Sequence, residues 1–127
     1  MSFLTKAKHF LTGEAAERDA CSYLIEYNLK LITKNYRCKF GEIDIIMQDK
    51  QSLVFVEVRF RKNETFGSGA ETITYNKQKK LIKTASYYLQ QHPKTAHLAA
   101  RFDVISMSTE PNSDISKIDW IKDAFQA

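Results

Sequence analysis

Two short runs rich in β-branched residues constrain this chain more than anything else in it: Gly41-Glu42-Ile43-Asp44-Ile45-Ile46-Met47 and Leu53-Val54-Phe55-Val56-Glu57-Val58-Arg59. Both have strand composition, and the polar stretch from Gln48 to Ser52 predicts a hairpin turn between them. With Asp44 set opposite Glu57, antiparallel pairing puts Ile43 against Val58, Ile45 against Val56 and Met47 against Val54 on one apolar face. Gln48 then meets Leu53, leaving residues 49–52 as a four-residue loop. The other face reads Glu42 opposite Arg59, Asp44 opposite Glu57 and Ile46 opposite Phe55. Both faces are apolar over most of their length, the pattern of a sheet covered by helices.

Two carboxylates facing each other across strands stand ~5 Å apart and repel. Asp44 and Glu57 would therefore sit where an apolar layer gives way to polar residues, and a cation would relieve them. Paired carboxylates in such a place suit Mg²⁺ or Mn²⁺, hard ions that take oxygen ligands and keep waters for substrate phosphates. Arg59, two residues beyond Glu57, projects from the same face and can hold a phosphate or developing charge. The plain alternative is a cross-strand ion-pair cluster, Glu42 with Arg59 and Asp44 or Glu57 with Arg61 or a helix lysine. Spacing alone does not choose between the two.

The rest of the chain frames this hairpin. Ala16, Ala20, Leu24 and Tyr27 fall at helical spacing, which predicts a helix over Glu14 to Leu29. Residues 29–38 read as a first strand. Lys62 to Tyr75, with Gly67 and Gly69, reads as an exposed, mobile loop. Asn76 is the expected cap of a second helix reaching Gln91, with Leu81, Ile82, Ala85, Tyr88 and Leu89 as its apolar stripe. His92-Pro93 ends that helix. Phe102 to Met107 and Ile118 to Ile121 read as a fourth strand and a short fifth. The order α-β-β-β-α-β-β predicts an α/β fold, a mixed central sheet flanked by helices.

The length of 127 residues predicts one domain over residues 1–127. No apolar run approaches the ~18 residues of a membrane span, and the N-terminal stretch lacks the apolar core of a secretory signal. No membrane association is expected, and the cytoplasm is the expected location. Cys21 and Cys38 are far apart and in no metal-ligand spacing, so both are expected as reduced thiols.

The net charge is only +4, but from Lys30 to Lys83 there are twelve Lys or Arg against six Asp or Glu. The basic excess surrounds the acidic pair. That arrangement suits a polyanion, with Arg61, Lys62, Lys77, Lys79, Lys80 and Lys83 as candidate nucleic-acid contacts.

At the same residues a resemblance enters. Gly41-Glu42-Ile43-Asp44 and Phe55-Val56-Glu57-Val58-Arg59 stand in order with Asn35-Tyr36-Arg37, Phe66-Gly67, Lys77-Gln78, Arg101-Phe102-Asp103-Val104 and Ile121-Lys122-Asp123-Ala124-Phe125. From Gly13 to Phe125 the chain resembles the YraN-like family of small bacterial proteins. That family is similar in turn to the restriction-endonuclease-like superfamily, which includes Holliday junction resolvases. The resemblance implies a restriction-endonuclease-like fold and a metal-dependent nuclease acting on DNA, branched or single-stranded. It implies that Asp44 and Glu57 hold Mg²⁺ or Mn²⁺ and that Arg59 occupies the superfamily's lysine position. Glu17, with Glu14 as the alternative, matches an acidic residue on the first helix, and Gln78 matches a glutamine beside the site. Arginine stays charged and cannot serve as a general base, so Lys77 is a candidate to act in its place. Two other readings stay open: a non-catalytic nucleic-acid-binding module with a degenerate site, and an interaction protein whose carboxylates are structural.

Overall fold

The computed structural model describes residues 13–61, 73–109 and 116–127. Helix α1 (Gly13–Glu26) is followed by strands β1 (Lys30–Cys38), β2 (Gly41–Asp49) and β3 (Ser52–Arg61). Helix α2 (Tyr75–Gln91), a 3-10 turn at Pro93–Thr95, and strands β4 (Ala99–Thr109) and β5 (Ser116–Phe125) complete the order. The five strands lie in the order β1-β2-β3-β4-β5. All neighbours are antiparallel except β3 and β4, which are parallel. A parallel pair needs a crossover, and α2 lies in the connection that supplies it. The expected α/β class, mixed sheet and element order are all present. Among the described residues no helix is long and apolar enough to cross a membrane.

The two helices cover opposite faces. Ala16, Ala20, Cys21 and Leu24 of α1 pack on Ile45, Met47, Val54, Val56, Ile105 and Met107. Leu81, Ala85 and Tyr88 of α2 pack on Ile43, Ile46, Leu53, Phe55 and Phe102. Helix α1 stops three residues earlier than predicted because Asn28 turns left-handed at φ 73. The Leu29 amide then donates back to the Leu24 carbonyl at 3.2 Å and the Asn28 amide to Ile25 at 2.9 Å, a Schellman closure. Both leucines are buried, while Tyr27, counted in the stripe, is 55% exposed. Helix α2 begins earlier than Asn76 predicts. Thr74 is the cap, its hydroxyl accepting from the Lys77 amide at 3.1 Å. The predicted 62–75 loop falls mostly outside the described residues, but Ile73 is buried and Tyr75 is already helical. Strand β5 runs to Phe125, well past Ile121. Cys21 and Cys38 are both free thiols.

The hairpin register is the one its sequence predicts, Ile45 with Val56, Ile46 with Phe55, Met47 with Val54 and Gln48 with Leu53. It runs one pair further, Asp49 with Ser52, so the turn is Lys50-Gln51 rather than four residues. Lys50 takes φ 55, the left-handed geometry that follows the twist of a tight hairpin. The other end departs from prediction more strongly. The ladder stops at Ile45 and Val56, and Asp44 and Glu57 are not a ladder pair. On the other side of β2, Asn35 stands opposite Asp44 at φ 55, between the pairs Lys34–Ile45 and Tyr36–Ile43. A left-handed residue there kinks the pleat. As a result Ile43 joins the α2 layer instead of sharing a face with Ile45 and Met47.

Candidate active site

Where β2 and β3 part, three carboxylates converge. Asp44 Oδ2 accepts the Val58 backbone N–H at 2.8 Å, so the side chain takes the place of the missing ladder bond. Glu57 is 8% exposed and hydrogen-bonds to Asp44. Glu17, in the second turn of α1, also hydrogen-bonds to Asp44. Burial, reinforced by the neighbouring Asp44, pushes the Glu57 carboxyl up to about 7. Burial and Asp44, together with Glu42, push Glu17 up to about 7 as well. Asp44 is raised chiefly by burial, against the pull of the Val58 amide and the hydrogen bond from Glu57. Protons thus bind this cluster well above the normal carboxylate range.

The cluster lines an open cleft of ≈ 720 Å³ between the N-terminal turns of the two helices. Its other walls include Glu42, Arg59, Lys77 and Lys80. Lys77 Nζ stands 3.6 Å from Glu57 Oε2, so a helix lysine is an ion-pair partner of the acidic pair. Arg59 faces Glu57 and favours its charged form. Glu42 does not pair with Arg59 as the register implied. Its partner is Arg37 on β1, at 2.8 Å, because the two residues are opposed in the first hairpin.

The remaining candidates are distributed as follows. Glu14 is exposed on the first turn of α1 and does not line the cleft, which leaves Glu17 as the helix acid. Gln78 does not line the cleft either: its Nε2 donates to the Ile73 carbonyl at 3.1 Å and fastens the chain entering α2. Lys79 lies over the Tyr75 ring at 5.3 Å. Lys83 sits further along α2, beside Tyr87. The side chain of Arg61 and all of Lys62 lie outside the described residues. Among the described residues no group of three or more His, Cys, Asp or Glu is arranged to hold a metal ion. Two carboxylates, Asp44 and Glu57, are in contact and offer only oxygen donors, which fits a hard cation that keeps most of its waters.

Sequence reasoning missed the residue that lets α2 approach. Gly41 has φ 152, and a Cβ there would meet Thr84 Oγ1 at 3.0 Å. Its place at the mouth of a strand was the available signal. A second buried carboxylate also emerges, away from the cleft. Asp103 is fully buried and accepts from Arg101, from Trp120 Nε1 at 2.9 Å and from the Asp123 amide at 2.9 Å. Every donor aimed at it belongs to the fold, so it is structural.

Fold and cleft together define an α/β protein with a five-stranded mixed sheet and a carboxylate cluster ringed by cations. Residues 16–107 match the family model of the Uncharacterised protein family UPF0102, and the chain belongs to that YraN-like family. The UPF0102 protein of Nitrosococcus oceani is 44% identical over 120 residues, covering 94% of this chain and 95% of the relative. That of Legionella pneumophila subsp. pneumophila is 46% identical over 115 residues, 91% of this chain and 94% of its own. That of Coxiella burnetii is 44% identical over 114 residues, 90% and 91% of the two chains. The matched span contains Glu17, Asp44, Glu57 and Arg59.

Proposed function

We propose that the protein is a metal-dependent nuclease, a single cytoplasmic domain of restriction-endonuclease-like fold that hydrolyses phosphodiester bonds in DNA. The observation that carries this reading is the convergence of Glu17, Asp44 and Glu57 in a cleft walled by Arg59, Lys77 and Lys80. Carboxylates alone would repel a polyanion, and lysines alone would bind one without chemistry. Asp44 and Glu57 would hold Mg²⁺ or Mn²⁺, with Glu17 completing the site through water. The ion, when bound, polarises a phosphoryl oxygen and lowers the pKa of an attacking water. As a ligand Glu57 would have to give up its proton, so affinity for the ion would rise with pH. Arg59 neutralises charge on the scissile phosphate. Lys77, already 3.6 Å from Glu57, is placed to exchange that carboxylate for a phosphate. Lys80 guides the adjoining backbone.

The test is cleavage of end-labelled duplex, single-stranded and branched DNA with Mg²⁺ or Mn²⁺. Asp44→Asn and Glu57→Gln should lose cleavage by about 100-fold or more while metal-free binding persists or tightens, because negative charge has left a phosphate-binding surface. Binding itself should weaken steeply with salt.

A second reading is favoured by two particular facts, Arg59 in the lysine position and the want of a three-ligand cluster among the described residues. In it the protein binds nucleic acid without cutting. No parent cleavage, with salt-dependent binding nearly unchanged in Asp44→Asn, would establish that reading. Salt-independent binding, or none at low salt, would leave the carboxylates a structural role in an interaction protein.

A further inference from the structure

We propose that the tip of the first hairpin and the adjoining face of α2 form a stacking platform for an unpaired DNA strand leaving the cleft. The turn between β1 and β2 is Lys39-Phe40, and Phe40 is 39% exposed although large and apolar. Its ring meets Tyr87 of α2 edge-on, with centroids 5.7 Å apart. Phe40, Tyr87, Lys39 and Lys83 line a shallow groove of ≈ 370 Å³, and no acidic residue is among those lining it. Aromatic faces between lysines are what an unpaired strand requires, since bases stack on the rings while phosphates follow the cations. A duplex, with its bases already stacked inward, cannot use the rings.

Position ties the groove to the cleft. Gly41 and Lys80 line the cleft, while Phe40, next to Gly41 in the chain, and Lys83, one helical turn after Lys80, line the groove. Lys80 and Lys83 are three residues apart on one helix, about 4.5 Å along its axis, so a strand crossing the cleft can continue onto the platform. The close approach of Gly41 to Thr84 is what seats Phe40 beside Tyr87. Lys39 Nζ lies 5.2 Å over the Phe40 ring. An exposed cation–π contact of this kind is weaker than a stacked base and yields to one. The Lys39 ammonium then moves to the phosphate that follows the base. The inference rests on the nuclease reading only for the identity of the neighbouring cleft, and names that site's substrate as DNA with an unpaired segment.

The test needs no metal and no cleavage. Affinities for a labelled oligothymidine of about twelve nucleotides, a length within single-strand site sizes, and for a duplex of equal length are compared at low salt. Phe40→Ala should weaken single-strand binding roughly 5- to 100-fold, change duplex binding less than about twofold, and be rescued by Phe40→Trp. Phe40→Leu, which keeps an apolar side chain against Tyr87 but has no aromatic face, should lose as much as Phe40→Ala. Lys83→Ala should flatten the salt dependence by about 0.7 in slope. The platform is overturned if Phe40→Ala and Phe40→Leu leave single-strand affinity unchanged, if single strand and duplex weaken equally, or if the parent does not bind the oligothymidine. Active cleavage with an indifferent Phe40 overturns the platform alone. A Phe40-dependent single-strand affinity without cleavage overturns the nuclease alone.

Discussion

Asp44 and Val58 are joined by a hydrogen bond that belongs to no ladder: the Asp44 carboxylate, not a backbone carbonyl, accepts the Val58 amide at 2.8 Å. The bond holds the parted ends of β2 and β3 together and aims the carboxylate into the cleft. It also separates the structural part of Asp44 from its charge. Asp44→Asn keeps an acceptor for Val58 and removes the charge, whereas Asp44→Ala removes both. In metal-free buffer near neutral pH, Asp44→Asn should raise the melting temperature by roughly 3–6 °C, the shift expected for about 1 kcal/mol. Asp44→Ala should bring no such gain, because an unpaired buried amide costs about 1–3 kcal/mol. Equal losses in both variants would place the charge in a structural ion-pair network.

Stability without metal should fall as pH rises. The Glu57 carboxyl holds its proton up to about 7 in the fold, against an ordinary value of 4.5. Between those two values the unfolded chain ionises first, so rising pH draws the equilibrium towards it. The contribution is fully present below 4.5 and gone above about 7. Thermal melts from pH 5 to 8 in chelator should show a decline that levels off, flattened in Glu57→Gln. Glu17 acts in the same direction but is less buried and counts for less. Added Mn²⁺ should stabilise most at the alkaline end.

Arg59 and lysine differ at the cleft in reach and charge lability, not in sign. Arg59→Ala should lower cleavage by about 100-fold or more, as when a stabiliser of developing charge is removed. Arg59→Lys should retain or raise activity, since a compact ammonium can sit closer to both metal ligand and phosphate. Loss in Arg59→Lys equal to that in Arg59→Ala would show that the planar guanidinium itself is needed.

Asp103 should matter for folding and not for chemistry. Asp103→Ala leaves Arg101, the Trp120 indole and the Asp123 amide without their shared acceptor. Arg101 keeps Asp49 at 3.0 Å, so the expected loss comes from the two donors left without an acceptor, about 1–3 kcal/mol each. Trp120 is the sole tryptophan, so its emission should shift to the red during an earlier denaturant transition. Cleavage per folded molecule should stay unchanged.

Gly41→Ala should destabilise by about 1 kcal/mol or more, from backbone strain at positive φ and the approach to Thr84. Adding Thr84→Ala removes only the steric part. The double variant in urea should recover a fraction of the loss beyond additivity, and full additivity would mean that the contact is slack.

What the sequence determined by itself was periodic or local. Alternation of Ile45, Met47, Val54 and Val56 with their neighbours set the hairpin register, since a slip of one residue would have turned an apolar face to water. Helical spacing found Ala16, Ala20, Leu24, Leu81, Ala85 and Tyr88 for the same reason. Setting Asp44 opposite Glu57 brought the two carboxyls together as the structure has them, but their contact is between side chains, because the ladder ends at Ile45 and Val56. Tertiary structure decided what depends on residues far apart in the chain. Asn35 at φ 55 kinks β2 from the neighbouring strand and sends Ile43 to the α2 layer. Glu17 rather than Glu14 enters the cleft because Ala16 and Ala20 seat α1 in one rotation on the sheet. Glu42 goes to Arg37 because the two stand opposite each other across β1 and β2. Lys77 reaches Glu57 because Thr74, not Asn76, starts α2. The elevated carboxyls of Glu17 and Glu57 were illegible in the chain for one physical reason: desolvation is a property of what surrounds a group, and only the packed layers supply those surroundings.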